Sequence, residues 1–210
     1  MITKELNELN KIFENNGFQL RIIGGAVRDH ILNKTPNDID LTTNATPTEI
    51  INILEKNNYK YIETGIEHGT ITIVLDKLYE ITTLRVDVET NGRHANVMWT
   101  CSWKLDAERR DFTFNAMSMD FKGNIYDYFN GKNDLKNNVV KFVGNAEKRI
   151  EEDYLRILRY FRFLSKLKNF DDTSNSEYDE VLEKHSRNFC KNVSKERIWQ
   201  EMQKILVSNS

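Results

Sequence analysis

The sequence predicts an α+β fold: a small mixed sheet backed by helices through about residue 138, followed by an all-helical segment over 139–210. Three observations carry this expectation. Leu20, Ile22 and Ile23 form an apolar run ending in Gly24-Gly25, and Asn37-Asp38-Ile39-Asp40-Leu41 follows closely, so a strand, a tight turn and an acidic strand are expected in succession. Gly69 to Leu75 and Tyr79 to Val86 are rich in branched residues and separated by Asp76-Lys77-Leu78, which predicts a hairpin on the same sheet. Beyond Asn145 the apolar residues recur at steps of three and four, the helical period.

Composition narrows the class of protein. With 210 residues the chain has room for a substantial core, and 39% hydrophobic and 30% charged residues describe a soluble globular protein without a membrane-spanning run. Met1-Ile2-Thr3-Lys4-Glu5-Leu6 lacks the cationic and apolar blocks of a secretory signal. The two cysteines, Cys101 and Cys190, have no metal-ligand spacing and read as free thiols of the cytoplasm or another reducing intracellular compartment. A net charge of -2 argues against a protein that coats polyanions along its whole surface. Locally the balance differs: Lys141 to Lys166 holds seven Lys or Arg against four Asp or Glu, which fits a solvated helix face or a channel for an RNA end.

Taken in order, Leu6, Leu9, Ile12 and Phe13 predict a first helix over Glu5–Asn15. After the strand, Ala26 to Leu32 reads as a short helix with its amino end at the glycines, where backbone amides and the helix dipole favour phosphate. Gly-Gly alone is equally an ordinary turn. Period two places Asp38 and Asp40 on one strand face, a repulsive pair that lies in water or holds a hard cation such as Mg²⁺. Thr46-Pro47-Thr48-Glu49 opens the next helix with an N-cap, a first-turn proline and an acid three residues on. Glu80 shares a strand face with Thr82 and Leu84, and the residues alone fit an exposed acid as well as a catalytic one. Asp87 to Asp106 is polar and interrupted, which predicts a long loop that moves or binds something. Arg109-Arg110-Asp111 precedes a helix beginning within Phe112–Met117, Gly123 to Phe129 reads as the last strand, and Lys132 to Asn138 as a polar connection.

In the remainder, Ile150, Tyr154, Ile157, Leu158, Phe161 and Leu164 predict one long helix over Asn145–Lys166. Glu152 and Asp153 stand four and three residues before Arg156, a spacing that an intrahelical salt-bridge ladder explains without any ligand. Asp171 to Asp179 reads as a loop, and Val181–Phe189 and Val193–Leu206 as two further helices, with Ser194 as an N-cap and Trp199 in the core.

Gly24-Gly25-Ala26-Val27-Arg28-Asp29 with Asp38-Ile39-Asp40 resembles the head signature of the class II CCA-adding enzymes, the tRNA nucleotidyltransferases and related bacterial poly(A) polymerases of the DNA polymerase beta superfamily. The resemblance continues through Arg109-Arg110-Asp111-Phe112-Thr113-Phe114-Asn115-Ala116, Asp127-Tyr128-Phe129-Asn130-Gly131 and Glu152-Asp153-Tyr154-Leu155-Arg156. It implies a nucleotidyltransferase head over 1–138 and a helical neck with nucleotide recognition over 139–210, possessing only the start of the usual body. It also implies template-independent addition of C and A to the 3′ end of tRNA, from CTP and ATP, with release of pyrophosphate. Asp38 and Asp40 are implied as ligands of two Mg²⁺ ions and, with Glu80, as the catalytic carboxylates. Gly24, Gly25 and Arg28 are implied on the phosphate side, Arg109, Arg110, Asp111 and Asn115 around the nucleotide and ribose, and Asp153, Arg156 and Arg159 at the base. A carboxylate that accepts from an exocyclic amine suits cytosine and adenine, which offer one, over uracil and guanine.

Three functional readings stay open at the level of sequence. One is a full CCA-adding activity. Another is a partial-specificity enzyme that adds only the terminal A, or a short poly(A) polymerase. The third is a nucleotide- or RNA-binding module without efficient catalysis, because full-length relatives continue into RNA-holding domains. The short carboxyl region leaves a second copy of the chain or a separate RNA-holding partner as ways to complete it.

Overall fold

The computed structural model describes residues 2–90, 95–167 and 176–207. Nine strands and ten helices are assigned among them. Seven strands form one sheet in the order β3-β4-β5-β2-β1-β8-β9: β1 Leu20–Ile23, β2 Asp40–Thr43, β3 Lys60–Gly65, β4 Thr70–Val74, β5 Leu78–Thr83, β8 Ser118–Met119 and β9 Ile125–Tyr126. All neighbours are antiparallel except β2 and β5, which run parallel with Leu41 opposite Ile81. A parallel pair needs a crossover. Here α3 (Pro47–Lys56) with β3 and β4 provides it.

Alternation along the strands sorts the two faces. Ile22, Leu41, Ile71, Ile73, Tyr79 and Ile81 are buried on one face, in a core shared with Leu6, Leu9 and Phe13 of α1 (Lys4–Asn15) and Ile50, Ile53 and Leu54 of α3. The expected capping box is present: Glu49 N donates to Thr46 Oγ1 and Thr46 N to Glu49 Oε2 at 2.7 Å. The opposite face carries Asp40 and Glu80, both exposed.

The core continues without a break into the carboxyl helices. Phe112, Phe114, Phe142, Tyr160, Phe163 and Tyr178 form one aromatic cluster, in which the Phe142 and Tyr160 rings stack 5.7 Å apart. Backbone pairing between Phe112 and Phe142 ties the segment after residue 138 back to the sheet domain.

Several expectations are corrected. The stretch Asn145–Lys166 is two helices, α6 (Ala146–Glu152) and α7 (Arg156–Leu167), because Asp153 is extended (φ -154°, ψ 102°). Its side chain accepts from Leu155 N at 3.1 Å, a local bond that competes with helix continuation. The polar segment after Asp87 contains regular structure. β6 (Arg85–Thr90) and β7 (Ala95–Trp99) pair as a separate two-stranded ribbon, and α4 (Trp103–Glu108) follows; residues 91–94 lie outside the described residues. The predicted strand Tyr79–Val86 is therefore split, with β5 in the main sheet and β6 in the ribbon. Phe112–Met117 holds only a 3₁₀ turn at Thr113–Asn115, and the supposed connection after Asn130 contains α5 (Gly131–Lys136). The expected loop Asp171–Asp179 lies outside the described residues through 175, then gives a 3₁₀ turn at Ser176–Tyr178 and the start of α8 (Asp179–Ser186). After the short α9 (Phe189–Asn192), α10 (Lys195–Val207) leaves Trp199 59% exposed on its outer side, not in the core.

The seat of α5 depends on one glycine. A Cβ on Gly131 would stand 2.2 Å from Thr113 O and 2.7 Å from Phe114 N, both backbone atoms, while Asp134 one turn on accepts from Thr113 Oγ1 at 2.7 Å. Gly131→Ala should therefore cost roughly 1–3 kcal/mol of stability in urea unfolding. Gly65→Ala, where the backbone is extended and the nearest atom is Thr70 Cβ at an ordinary 3.6 Å, should cost less. Equal losses would mean that the close approach is not the reason for the glycine.

Candidate active site

Register places the first residues of the site. Ile23 at the end of β1 pairs with Asp40, and one step back from the Leu41–Ile81 pair brings Asp40 beside Glu80. Asp38 lies just ahead of β2 and not within it, so the two aspartates are neighbours on an extended lead-in more than rungs of one strand. All three side chains reach solvent on the sheet's open face. They still feel one another. The Asp40 carboxyl is pushed above its ordinary value by partial burial against the sheet and by Asp38, with Arg110 pulling the other way. Glu80 is also raised, by burial, then by Asp40 and Asp38. Mutual crowding of carboxylates on an open face is the arrangement a hard divalent cation relieves, so the donor set fits Mg²⁺ at Asp38 and Asp40.

The glycine turn stands at this same end of β1, directly after Ile23. Gly24 has φ +63°, a conformation that favours glycine, and donates its amide to Met117 O at 3.1 Å. The amides directed outward here are thus those of the first turn of α2 (Gly25–Ile31), which have no helical partner. Arg110 lies over this turn: its Nη1 is 3.4 Å from where a Gly24 Cβ would be, close enough to Asp40 to depress that carboxyl.

The other predicted basic residues are held by acids. Arg28 bonds Asp29 through Nε at 2.9 Å and Asn115 Oδ1 through Nη1 at 2.9 Å. Asn115 Nδ2 donates to Asp111 Oδ1 at 3.1 Å, and Arg159 Nε donates to Asp111 Oδ2 at 2.7 Å. Burial pushes the Asp111 carboxyl up, but Arg159 with Asn115 and the Phe112 amide outweigh it, leaving the pKa below the ordinary value. Asp111 is 7% exposed. Its place is the hub that aligns Arg28, Asn115 and Arg159.

Asp153 and Arg156 are brought near this network from the α6–α7 break. Asp153 Oδ2 accepts from Arg197 at 2.8 Å. Arg156 Nη1 donates to Arg149 O at 2.9 Å and Glu152 Oε2 at 3.0 Å, and its Nη2 to Arg109 O at 2.8 Å. The expected salt-bridge ladder is real for Glu152 and Arg156, whereas Asp153 turns to α10.

Three residues escaped the sequence reading. Arg21, on the open-face side of β1, is sandwiched between Trp103 and Tyr126 with its guanidinium carbon 3.9 and 3.6 Å from the ring centroids. Asp106 binds both Arg109 and Arg110, and its spacing of three and four from them on a helix capped by Ser102 was the available signal. Glu201 accepts from Arg162 Nε at 2.5 Å. A separate group on α6 and α8, Glu147, Glu151 and His185, has ligand atoms within 4.8 Å of one another, yet Lys184 Nζ already sits 2.5 Å from Glu147 Oε1.

The metal fit has a consequence for stability. A raised carboxyl pKa means that the folded state binds the proton more tightly than the unfolded chain, so the ionised pair destabilises the fold near neutrality and stability is regained as pH falls through the raised values. Asp40→Asn should therefore raise the melting temperature in EDTA at pH 7, with the gain shrinking in acid. Mg²⁺ should raise the melting temperature of the parent more than that of the variant. A variant that melts lower in EDTA, or gains as much from Mg²⁺, would contradict the crowding.

The sequence pattern of the poly A polymerase head domain matches residues 20–141. Over 211 aligned residues the chain is 47% identical to the mitochondrial CCA tRNA nucleotidyltransferase 1 of Danio rerio, covering 100% of this chain and 49% of that protein. Its structure superposes on the Bacillus stearothermophilus CCA-adding enzyme in complex with CTP with a TM-score of 0.81 at 32% identity, covering 97% of this chain and 49% of the other. The Thermotoga maritima CCA-adding enzyme complexed with tRNA gives a TM-score of 0.75 at 25% identity, over 98% of this chain and 48% of the other. The chain spans about half the length of the relatives it matches.

Proposed function

The chain belongs to the poly A polymerase head-domain family, and from that membership we propose that it is the nucleotide-selecting and nucleotide-transferring part of a CCA-adding enzyme, joining C and A from CTP and ATP to the 3′ end of tRNA. The observation that carries the proposal is the adjacency of Asp38, Asp40 and Glu80 to a glycine turn overlain by Arg110. Residues 1–138 act as the transferring head and 139–210 as the recognising neck.

In this reading the RNA 3′ oxygen attacks the α-phosphorus, a phosphodiester forms, the α–β bond breaks and pyrophosphate leaves. Two Mg²⁺ ions held by Asp38 and Asp40 would supply charge neutralisation of the triphosphate and activation of the attacking hydroxyl. Glu80, with its raised proton affinity, stands beside Asp40 on the β5 side. Arg110 and the first turn of α2 receive the triphosphate, and the Asp111 network keeps Arg28 and Arg159 aligned.

Asp153 and Arg156 select the base. Each Asp153 oxygen has one protein donor and room for a second bond, so the carboxylate still accepts an exocyclic amine of cytosine or adenine. Arg156 uses both hydrogens of one terminal nitrogen and one of the other, which leaves it donors for a ring nitrogen or carbonyl. Two exposed free thiols, Cys101 and Cys190, suit a reducing intracellular compartment, and among the described residues no helix is long and apolar enough to cross a membrane.

Purified chain given tRNA ending before C, after one C and after two Cs, with CTP and ATP separately and together, tests the reaction. Stepwise addition of C, C and A is expected, and Asp40→Ala should abolish it with far-ultraviolet circular dichroism unchanged. Extension that persists in the Asp40→Ala protein defeats the mechanism. Base choice is tested apart from this. Asp153→Ala should lose most discrimination against UTP and GTP, whereas Arg197→Ala, which keeps the carboxylate, should preserve more of it; unaltered discrimination in Asp153→Ala would remove Asp153 from base reading.

A further inference from the structure

Asp106 lies on α4, outside every motif singled out from the sequence, yet it gathers donors from three places. Its Oδ1 accepts from Arg109 Nε at 3.0 Å, Arg109 Nη2 at 2.8 Å and the backbone amide of Arg85 at 3.2 Å, and its Oδ2 accepts from Arg110 Nη2 at 3.1 Å. Arg85 is the first residue of β6, five beyond Glu80. The Asp106 side chain is 4% exposed.

We infer that Asp106 is the positioning residue of the triphosphate side of the site: one buried carboxylate that aims Arg110 across the Gly24 turn and anchors the ribbon strand β6 to the same point. The inference rests on the proposed nucleotide reading. It adds the device that sets Arg110, which no predicted motif residue provides.

Geometry supports an aiming role over simple charge balance. Two guanidiniums on consecutive residues repel, and a single carboxylate shared between them fixes both directions at once. Arg109 spends two donors on one oxygen of Asp106, and its carbonyl is held by Arg156 Nη2 from the neck. The Arg109–Arg110 corner is thus pinned from the head by Asp106 and from the neck by Arg156. Helix α4 is itself fixed on the sheet, because Trp103 covers Arg21. Arg110 is left with its other terminal nitrogen toward Gly24, next to Asp40. Burial pushes the Asp106 carboxyl up and Arg110 and Arg109 more than reverse it, so Asp106 stays ionised at neutral pH.

The test is direct binding of CTP, ATP and inorganic triphosphate by calorimetry, in Mg²⁺, with the whole chain as parent, Asp106→Asn, Arg110→Ala and the double variant. Asp106→Asn keeps the side-chain shape and loses the charge. It should weaken all three ligands by a common factor of about tenfold, the equivalent of ~1.4 kcal/mol, because the lost contact concerns phosphates and not the base. If Asp106 works through Arg110, the double variant should bind no more weakly than Arg110→Ala alone. Circular dichroism at the assay temperature confirms that each variant is folded, and Asp106→Glu, which restores the charge, serves as a second variant should Asp106→Asn unfold; it should recover part of the affinity. Unchanged triphosphate affinity in Asp106→Asn, losses that multiply in the double variant, or a loss confined to one base would overturn the positioning role. A parent chain that binds none of the three ligands would overturn the nucleotide reading and this inference together, and so separates the two failures.

Discussion

The parallel contact between β2 and β5 is the constraint on which the rest depends. It is the one parallel pairing in the main sheet, and it brings Asp40 and Glu80 side by side on an open face with Asp38 just ahead. Parallel neighbours cannot be joined by a tight turn, so the chain crosses through α3, β3 and β4 before β5 is laid down. The apolar residues that alternate with the acids, Leu41 and Ile81, are fully buried and lock the register, since a slip of one residue would send carboxylates into the core. Packing on one face thereby holds repelling charges together on the other.

Around that row the structure places cations in fixed directions. Arg28 is held by Asp29 and Asn115, Arg109 and Arg110 by Asp106, and Arg159 by Asp111. Removing one partner of a buried pair of this kind leaves an uncompensated charge, which is far more damaging than the pair is stabilising. The pairs are better understood as guides than as sources of stability. They also join the two halves of the chain: Asp111 of the head meets Arg159 of α7, and Arg156 of α7 holds the backbone at Arg109. Because a continuous aromatic core runs through the same boundary, motion of the neck against the head would have to break both.

Much of this was legible in the sequence, for identifiable reasons. Strong local signals survived: the Thr46–Glu49 capping box, the apolar period of α1, the glycine turn and the β4–β5 hairpin each depend on residues close in the chain. What periodicity missed were places where one polar side chain overrules a pattern. Asp153 caps the backbone of Leu155 and splits a stretch whose apolar spacing is helical throughout. Branched residues from Tyr79 to Val86 read as one strand, but Arg85 N turns to Asp106 and starts a different sheet. In the site, Asp38, Asp40 and Glu80, to which motif and chemistry both pointed, do lie together on the open face. Asp106 was overlooked because its spacing to Arg109 and Arg110 is that of an ordinary helix ion pair, and its bond to the Arg85 amide forms only in three dimensions. The burial of Asp111, and with it its bonds to Asn115 and Arg159, is something the sequence does not display.

The charge arrangement also bears on what form of nucleotide the proposed function would call for. The four guided arginines are almost balanced by Asp29, Asp106 and Asp111, so the basic side offers little net attraction, while Asp38, Asp40 and Glu80 add negative charge a short distance away. A bare triphosphate approaching Arg110 would meet the raised, crowded carboxylate of Asp40 beside it. Repulsion at that distance is weakened only by screening or by a cation between the two groups. The same residues become attractive once a divalent ion accompanies the phosphates, because the acids then face the ion and the arginine faces the oxygens. On the proposed function, selection for the metal-bound nucleotide would follow from the fixed placement of Arg110 against Asp40, and a site whose arginines lacked acidic partners would bind polyanions of any kind without that requirement.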